Sequence, residues 1–425
     1  MNRHTPLWYK MDPRRLWLLM VGWRAFAQRV AFTIFMVYQV RDAQMDPLQL
    51  VLAGTALEIG VLLFEVPTGI VADTYSRRIS VIAGYSIIGL GFVIMVVQPA
   101  FWAVALGSFV WGIGHTFTSG AAQAWLADEI GEDAASEAYL AGAQLEMYTK
   151  AVGIIVSVLI ASVSLGLAIL VCGLLNLVLA GMLLAVMGED GYRPVPIQRR
   201  QTVGHMIGVF RSGIKTIRTR PLLIALILMT LMFAAQSESY DRLSTAHLLE
   251  NFTLPGIGEV GDVVWFGVIS MASLLIGVFV LRYLRRRVDS TDPVAVARAL
   301  WAVTATLIAL FVVFAVTGSV ALAIVAMIVI GPLREAIIPL HLSLLNRGLD
   351  PRIRATVISM DGQTDAVGQL VGGPPMGVIG RQFGVQAGLI GGALLLAPGI
   401  WLGARITRLA RGLPASAEPS TMRDI

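Results

Sequence analysis

The sequence predicts an all-α membrane protein, with twelve transmembrane helices in two pseudo-symmetric six-helix bundles. Three observations carry that reading. Of 425 residues, 56% are hydrophobic and only 14% charged, with mean hydropathy +0.75. A soluble chain usually carries about 25% charged residues, so lipid is the main solvent here. The apolar residues fall into twelve continuous runs, each near the roughly 20 residues that span a bilayer. The cations between runs lie almost all on one side. Segments sharing a side with the N-terminus, with Arg282 and Arg405 at the adjoining span ends, hold 24 Lys or Arg, and the opposite loops hold only Arg41 and Arg381. That asymmetry places both termini in the cytoplasm of a multi-pass protein of the cell (inner) membrane, and it favours an even number of spans.

The first run, residues 16–40, follows Lys10, Arg14 and Arg15. It is too long for a signal peptide and contains Arg24 and Arg29, so it is a retained span. The others are expected at 48–71, 79–97, 101–126, 138–163, 166–187, 221–247, 263–283, 295–316, 319–343, 356–380 and 386–407. Continuous runs of this length exclude the short alternating strands of a membrane barrel. Residues 188–220 form the longest connection and divide the chain into bundles over 1–187 and 221–412. Within it, Val203 to Arg218 is either an amphipathic helix on the membrane surface or a basic tether. Residues 413–425, rich in Pro, Ser and Ala, are expected to be a disordered cytoplasmic tail.

Several function classes are excluded. The net charge of +5 and pI near 9.5 could suggest nucleic acid, but the cations sit between apolar runs and form no basic domain. Cys172 is alone, so there is no disulfide framework and no thiol metal site. Five scattered His and one Cys offer no catalytic or metal cluster, so no enzyme, metal or cofactor is expected. The phosphate loop of ATP-driven pumps is missing.

Charge within a span is costly and marks a cavity, a partner or a pathway. Spans 3, 6, 9 and 12 have none in their interiors, which suits them to face lipid. The other spans are suited to surround an aqueous path, and the period of three holds in both halves. At about 1.5 Å per residue, Arg24 on span 1 matches Glu65 on span 2 in depth, and Arg29 matches Glu58. One pair is expected to be structural, leaving the other arginine in the cavity with Gln28. Glu146 and Lys150 of span 5 are spaced to pair at i, i+4. Span 7 carries Glu238, Asp241 and Arg242, a vestibule wall or a solvated turn. Arg334 of span 10, beside Glu335, matches Asp365 of span 11, where Asp361, Asp365 and Gln369 form one stripe. His115 of span 4 is either a titrating group or a hydrogen-bonded core residue.

Between spans 2 and 3 stands Glu65–Arg78, EVPTGIVADTYSRR. Its Gly69-x-x-x-Asp73-x-x-x-Arg77-Arg78, with six plus six helices and a basic central segment, resembles the major facilitator superfamily. That family's signature is Gly-x-x-x-Asp-x-x-Gly-Arg-Lys/Arg. Ser76 replaces the second glycine, which predicts a less tight turn. Ala124-Trp125-Leu126-Ala127-Asp128 and Arg354-Ala355-Thr356-Val357-Ile358-Ser359 extend the resemblance, which covers about residues 10 to 410. It implies alternating access, with spans 1, 4, 7 and 10 lining the cavity and spans 2, 5, 8 and 11 closing its ends. It also implies a cytoplasmic gate of Gly69, Asp73, Arg77, Arg78 and Asp128, with Asp73 near the start of span 11 and Arg77 reaching Asp128.

The expected function is secondary active transport of a small organic molecule, coupled to protons, by a monomer in the lipid bilayer. The family slightly favours export, as in drug or metabolite efflux, although span 5 lacks the proline of the drug-antiporter motif. The alternatives are uptake or exchange of an organic anion or zwitterion bound by Arg24, Arg29 or Arg334, and a non-transporting sensor or scaffold.

Overall fold

Hydrocarbon offers no water to an unpaired amide, so each span satisfies its backbone within itself as a helix. In the computed structural model, described for residues 10–192, 214–256, 261–349 and 351–413, the chain is helical and has no strand among those residues. Span 1 comprises Pro13–Phe32 and Phe35–Arg41, span 2 Pro47–Thr74, and span 3 Arg77–Val97. Span 4 comprises Phe101–Thr118 and Ala121–Ile130, span 5 Glu132–Ala161, and span 6 Leu165–Val186. Spans 7 to 9 are Pro221–Asn251, Gly261–Arg287 and Pro293–Val316. Spans 10 and 11 are Val320–Leu345 and Pro351–Phe383, and span 12 is Val385–Leu396 with Gly399–Ala410.

Ten of the twelve are long and apolar enough to cross a membrane by composition. Span 4 is divided at Gly120, which has φ +73°. Span 11 falls short because Asp361, Gln363, Asp365 and Gln369 lower its hydropathy. Span 10 stays helical through Pro332 and Pro339.

Helices start where a side chain caps them. Asp12, Asp46 and Asp292 each precede a proline at the first helical position and accept a backbone N–H, at spans 1, 2 and 9. Ser76, Ser164 and Ser319, with no proline after them, likewise accept a backbone N–H at spans 3, 6 and 10. Ends differ from the sequence reading where polarity alone suggested a stop. Residues 127–137 were expected as a loop, yet they are helical on both sides of Gly131, at φ +84°. Gly69 and Asp73 lie inside span 2, leaving only Tyr75 and Ser76 between helices. Polar residues do not end a helix unless the backbone finds another partner.

The chain forms two compact units, residues 1–200 with 249–271, and 201–248 with 272–425. In the first, span 3 packs on spans 4 and 6, span 2 on span 4, and span 1 on spans 5 and 6. In the second, span 9 packs on spans 10 and 12, and span 11 on span 12. The pairs 3–4 and 3–6 thus recur as 9–10 and 9–12. Span 3, expected to face lipid, has 56% of its apolar window buried among helices, against 17% for span 5, and leaves Ile79, Leu90 and Val97 exposed. Lacking charge, it can be surrounded by helices as readily as by lipid. Most of the expected Val203–Arg218 helix lies outside the described residues, as do residues beyond 413.

Small residues bring the backbones together, as is usual where lipid tails compete with side chains for apolar contact. A Cβ on Gly114 would meet the Gly84 carbonyl at 2.8 Å, and one on Gly89 would meet the Gly173 carbonyl at 2.8 Å. Gly114→Val and Gly89→Val are therefore expected to destabilise the protein by about 1–3 kcal/mol each. Gly181→Ala, in open space within the span-6 helix, should not destabilise and should gain up to about 1 kcal/mol. Thermal unfolding in detergent would check all three, and equal melting temperatures would contradict the packing account.

Candidate functional site

Three polar clusters lie within the units. The first lines a cavity of about 310 Å³ in the first unit, among spans 1, 3, 4, 5 and 6. Arg24 forms an ion pair with Glu146, and the Gln28 side-chain oxygen accepts from the same guanidinium at 3.3 Å. Lys150 donates to the other Glu146 oxygen at 3.1 Å, as its i, i+4 spacing predicts. Tyr85, Asn176 and His115 complete the polar wall. His115 lies within Coulombic reach of Glu65 and Arg24.

Of the two depth-matched arginines, Arg24 is therefore one that faces the cavity with Gln28, and there it pairs with Glu146. Span 1 packs along spans 5 and 6, and matching depth does not make two helices neighbours. Glu58 is buried on span 2, Arg29 and Glu65 are half-buried, and each has an interaction partner.

The second cluster surrounds the turn between spans 2 and 3. Arg77 pairs with Asp128 at 2.5 Å and approaches Asp73 at 4.0 Å. Ser76 is extended, at φ −175°, so its position has no need of glycine. Its hydroxyl accepts from the Ile79 amide at 3.0 Å and donates to Glu189 at 2.6 Å. The other Glu189 oxygen accepts from the Arg78 amide at 3.0 Å. Glu189 therefore adds a full negative charge to the N-terminus of span 3, where the helix dipole favours it. The Arg78 guanidinium donates to the Leu184 carbonyl at 2.7 Å.

The rest of Gly188–Tyr192 ties the same end together. Trp125 donates to the Gly188 carbonyl, Lys10 pairs with Asp190 at 2.6 Å, and the Gly191 amide donates to Glu129. The Tyr192 hydroxyl donates to the Asp73 carbonyl at 2.8 Å. Burial foremost, then the Glu189 charge, pushes the Tyr192 phenol up, so it stays a donor at neutral pH. Sequence reasoning missed this segment. Its signal was Gly-Glu-Asp-Gly-Tyr directly after the last apolar residue of span 6. Gly69 meets no side chain from another element.

The third cluster is in the second unit. Arg334 forms a two-point ion pair with Asp241, one arm at 2.7 Å, and lies over the rings of Phe233 and Tyr240. The expected Arg334–Asp365 bridge is therefore replaced, and Asp365 accepts from Gln369 at 2.7 Å. Glu238 is buried and pairs with Arg242 at 3.2 Å. Span 7 continues to Asn251, so the solvated-turn alternative does not hold. Glu335 is exposed.

Asp361 meets two residues that sequence reasoning did not single out. Thr230 of span 7 donates to its carboxylate at 2.7 Å, and His341 of span 10 lies 3.1 Å from it. His341 is buried and Asp361 nearly so. No group of His, Cys, Asp and Glu could hold a metal among the described residues.

A profile described as Major Facilitator Superfamily matches residues 18–364. An uncharacterized MFS-type transporter, YxaM of Bacillus subtilis, is 29% identical over 136 residues. That match spans 32% of this chain and about a third, 33%, of the relative. Among solved structures, the nucleoside transporter NupG in a mutant form superposes with TM-score 0.74 at 13% identity, over 94% of this chain and 100% of that one. A bacterial homologue of the human lysosomal transporter Spinster gives 0.70 at 13% identity, over 97% and 100%. A POT family transporter in complex with 5-aminolevulinic acid gives 0.69 at 13% identity, over 94% and 96%.

The capping role of Glu189 has a direct consequence. Glu189→Ala removes the acceptor of the Ser76 hydroxyl and the Arg78 amide, and should cost about 1–2 kcal/mol. Arg14→Ala, removing an exposed pair at 4.0 Å from Glu137, should cost well under about 1 kcal/mol. Melting temperatures of both variants in detergent would check the contrast.

Proposed function

The chain belongs to the Major Facilitator Superfamily and is a multi-pass membrane transporter, and from that premise we propose a proton-coupled secondary active transporter that moves a small organic molecule by alternating access. Export, as in drug or metabolite efflux, is the favoured direction.

The Asp361–His341–Thr230 cluster carries the coupling. An imidazole and a carboxylate 3.1 Å apart can hold one proton or two between them. The number held sets the charge of a cluster shared by spans 7, 10 and 11. Charge within a membrane is expensive, so protonation shifts the balance between packings of those helices.

The cavity of the first unit supports a substrate carrying both charges. Arg24 is already paired with Glu146, as Arg334 is with Asp241. A lone anion would take Arg24 from Glu146, leaving that carboxylate to Lys150, or Arg334 from Asp241, and would give neither carboxylate a new partner. A zwitterionic or amphiphilic molecule replaces both partners at once. Uptake or exchange of such a molecule is the second reading, and the same cavity serves it.

Proteoliposomes of known orientation with an imposed pH gradient, supplied with a ligand found by thermal-shift screening, test this function. Asp361→Asn and His341→Gln should abolish gradient-driven transport and retain substrate exchange without a gradient. Wild-type rates indifferent to the gradient would remove proton coupling. Loss of exchange together with driven transport would assign the pair to binding. In the gate, Asp73→Ala should insert normally and transport several-fold more slowly. An unchanged rate would remove Asp73 from the gating group of Gly69, Arg77, Arg78 and Asp128.

A further inference from the structure

The last turns of span 8 carry Arg282, Arg285, Arg286 and Arg287. All four are exposed, and none forms an ion pair with a described carboxylate. The acids that follow are already used. Asp289 accepts from the Thr291 hydroxyl at 2.7 Å and amide at 2.8 Å, and the hydroxyl foremost holds its carboxyl below the ordinary value. Asp292 accepts from the Val294 amide at 2.8 Å and caps span 9. Arg347 donates to the Ser290 and Thr291 carbonyls and fastens the turn. The result is an ordered turn with uncompensated positive charge.

Two apolar grooves flank this end of span 8. One, of about 300 Å³, opens between spans 8 and 10 against Leu281, Ala336, Pro339 and Leu340, with Arg285 in its wall. The other, of about 520 Å³, opens between spans 8 and 9 against Phe279, Ala302, Val303 and Leu333, with Arg287 in its wall. Leu284 and Val288 border both. Arg287 lies 5.9 Å from the Tyr283 ring, itself exposed beside the second groove. Orienting the chain in a membrane requires cations only. It does not require a cation beside each of two grooves meeting at one helix turn.

We propose that this end of span 8 is a binding site for an anionic phospholipid of the phosphatidylglycerol type. Its phosphate would bind Arg285 and Arg287, and its two acyl chains would occupy the two grooves. Basic pockets between membrane helices have the charge and polarity for such a headgroup. The site lies on the side where cations are in excess, and its occupation requires no assumption about the transported substrate.

Full-length, delipidated protein in detergent, titrated with dioleoyl phosphatidylglycerol or phosphatidylcholine and read by native mass spectrometry, tests the proposal. Phosphatidylglycerol should bind at a several-fold lower concentration. Arg285→Gln with Arg287→Gln should raise its midpoint by about 25-fold, from about fivefold per arginine near a membrane surface, and leave phosphatidylcholine unchanged. Arg282→Gln with Arg286→Gln removes the same charge outside the grooves and should shift it by no more than about threefold. Ala302→Trp fills one groove and should weaken binding with every arginine retained.

Equal shifts from the two arginine pairs would reduce the effect to diffuse attraction and overturn the site. Equal affinity for the two lipids would also overturn it. Displacement of the lipid by glycerol phosphate at comparable concentration would show an anion site without chain recognition. A dimer that Ala302→Trp dissociates would assign the grooves to a second copy of the chain.

Discussion

A polar group in hydrocarbon has no water to fall back on, and this constraint shapes the protein at every scale. It makes each span a helix. It makes helices approach through glycines, because apolar contact alone gives little preference for protein over lipid. It also requires interior charges to be accommodated by neighbouring helices. Arg24 with Glu146 and Arg334 with Asp241 are the result, each joining helices distant in sequence.

Such pairs are weak evidence of stability, because desolvation offsets most of the attraction. Arg24, Glu146 and Lys150 form a group with both signs beside a cavity. The second unit places Asp361 with His341 and Thr230, so a nearly buried carboxylate joins three spans. The turn between spans 2 and 3 behaves differently. Its groups are tied to backbone through Glu189 and Tyr192, which makes it a rigid block at the end of the first unit.

The local part of this architecture was legible. Contacts such as Glu146–Lys150 and Glu238–Arg242 follow from helical spacing, which fixes neighbours three or four residues apart. Arg77–Asp128 was legible only through family resemblance, since nothing local relates span 2 to the end of span 4. The expected Arg334–Asp365 bridge gave way to Arg334–Asp241. Counting residues along a span gives depth, and depth is one coordinate of three. Glu189 was missed because it follows a span and was read as linker. His341 was missed because it lies in an apolar stretch, near the end of a helix whose other charges drew attention.

By itself, the sequence determined the solvent, the all-helical class and most of the helix bounds, because apolar run length is a property of the chain alone. Only the tertiary structure decided which helices are neighbours, and with them the partners of Arg24, Arg334, Asp361 and Glu189. Lateral packing depends on where small residues let backbones meet, and those contacts join positions that no local spacing relates.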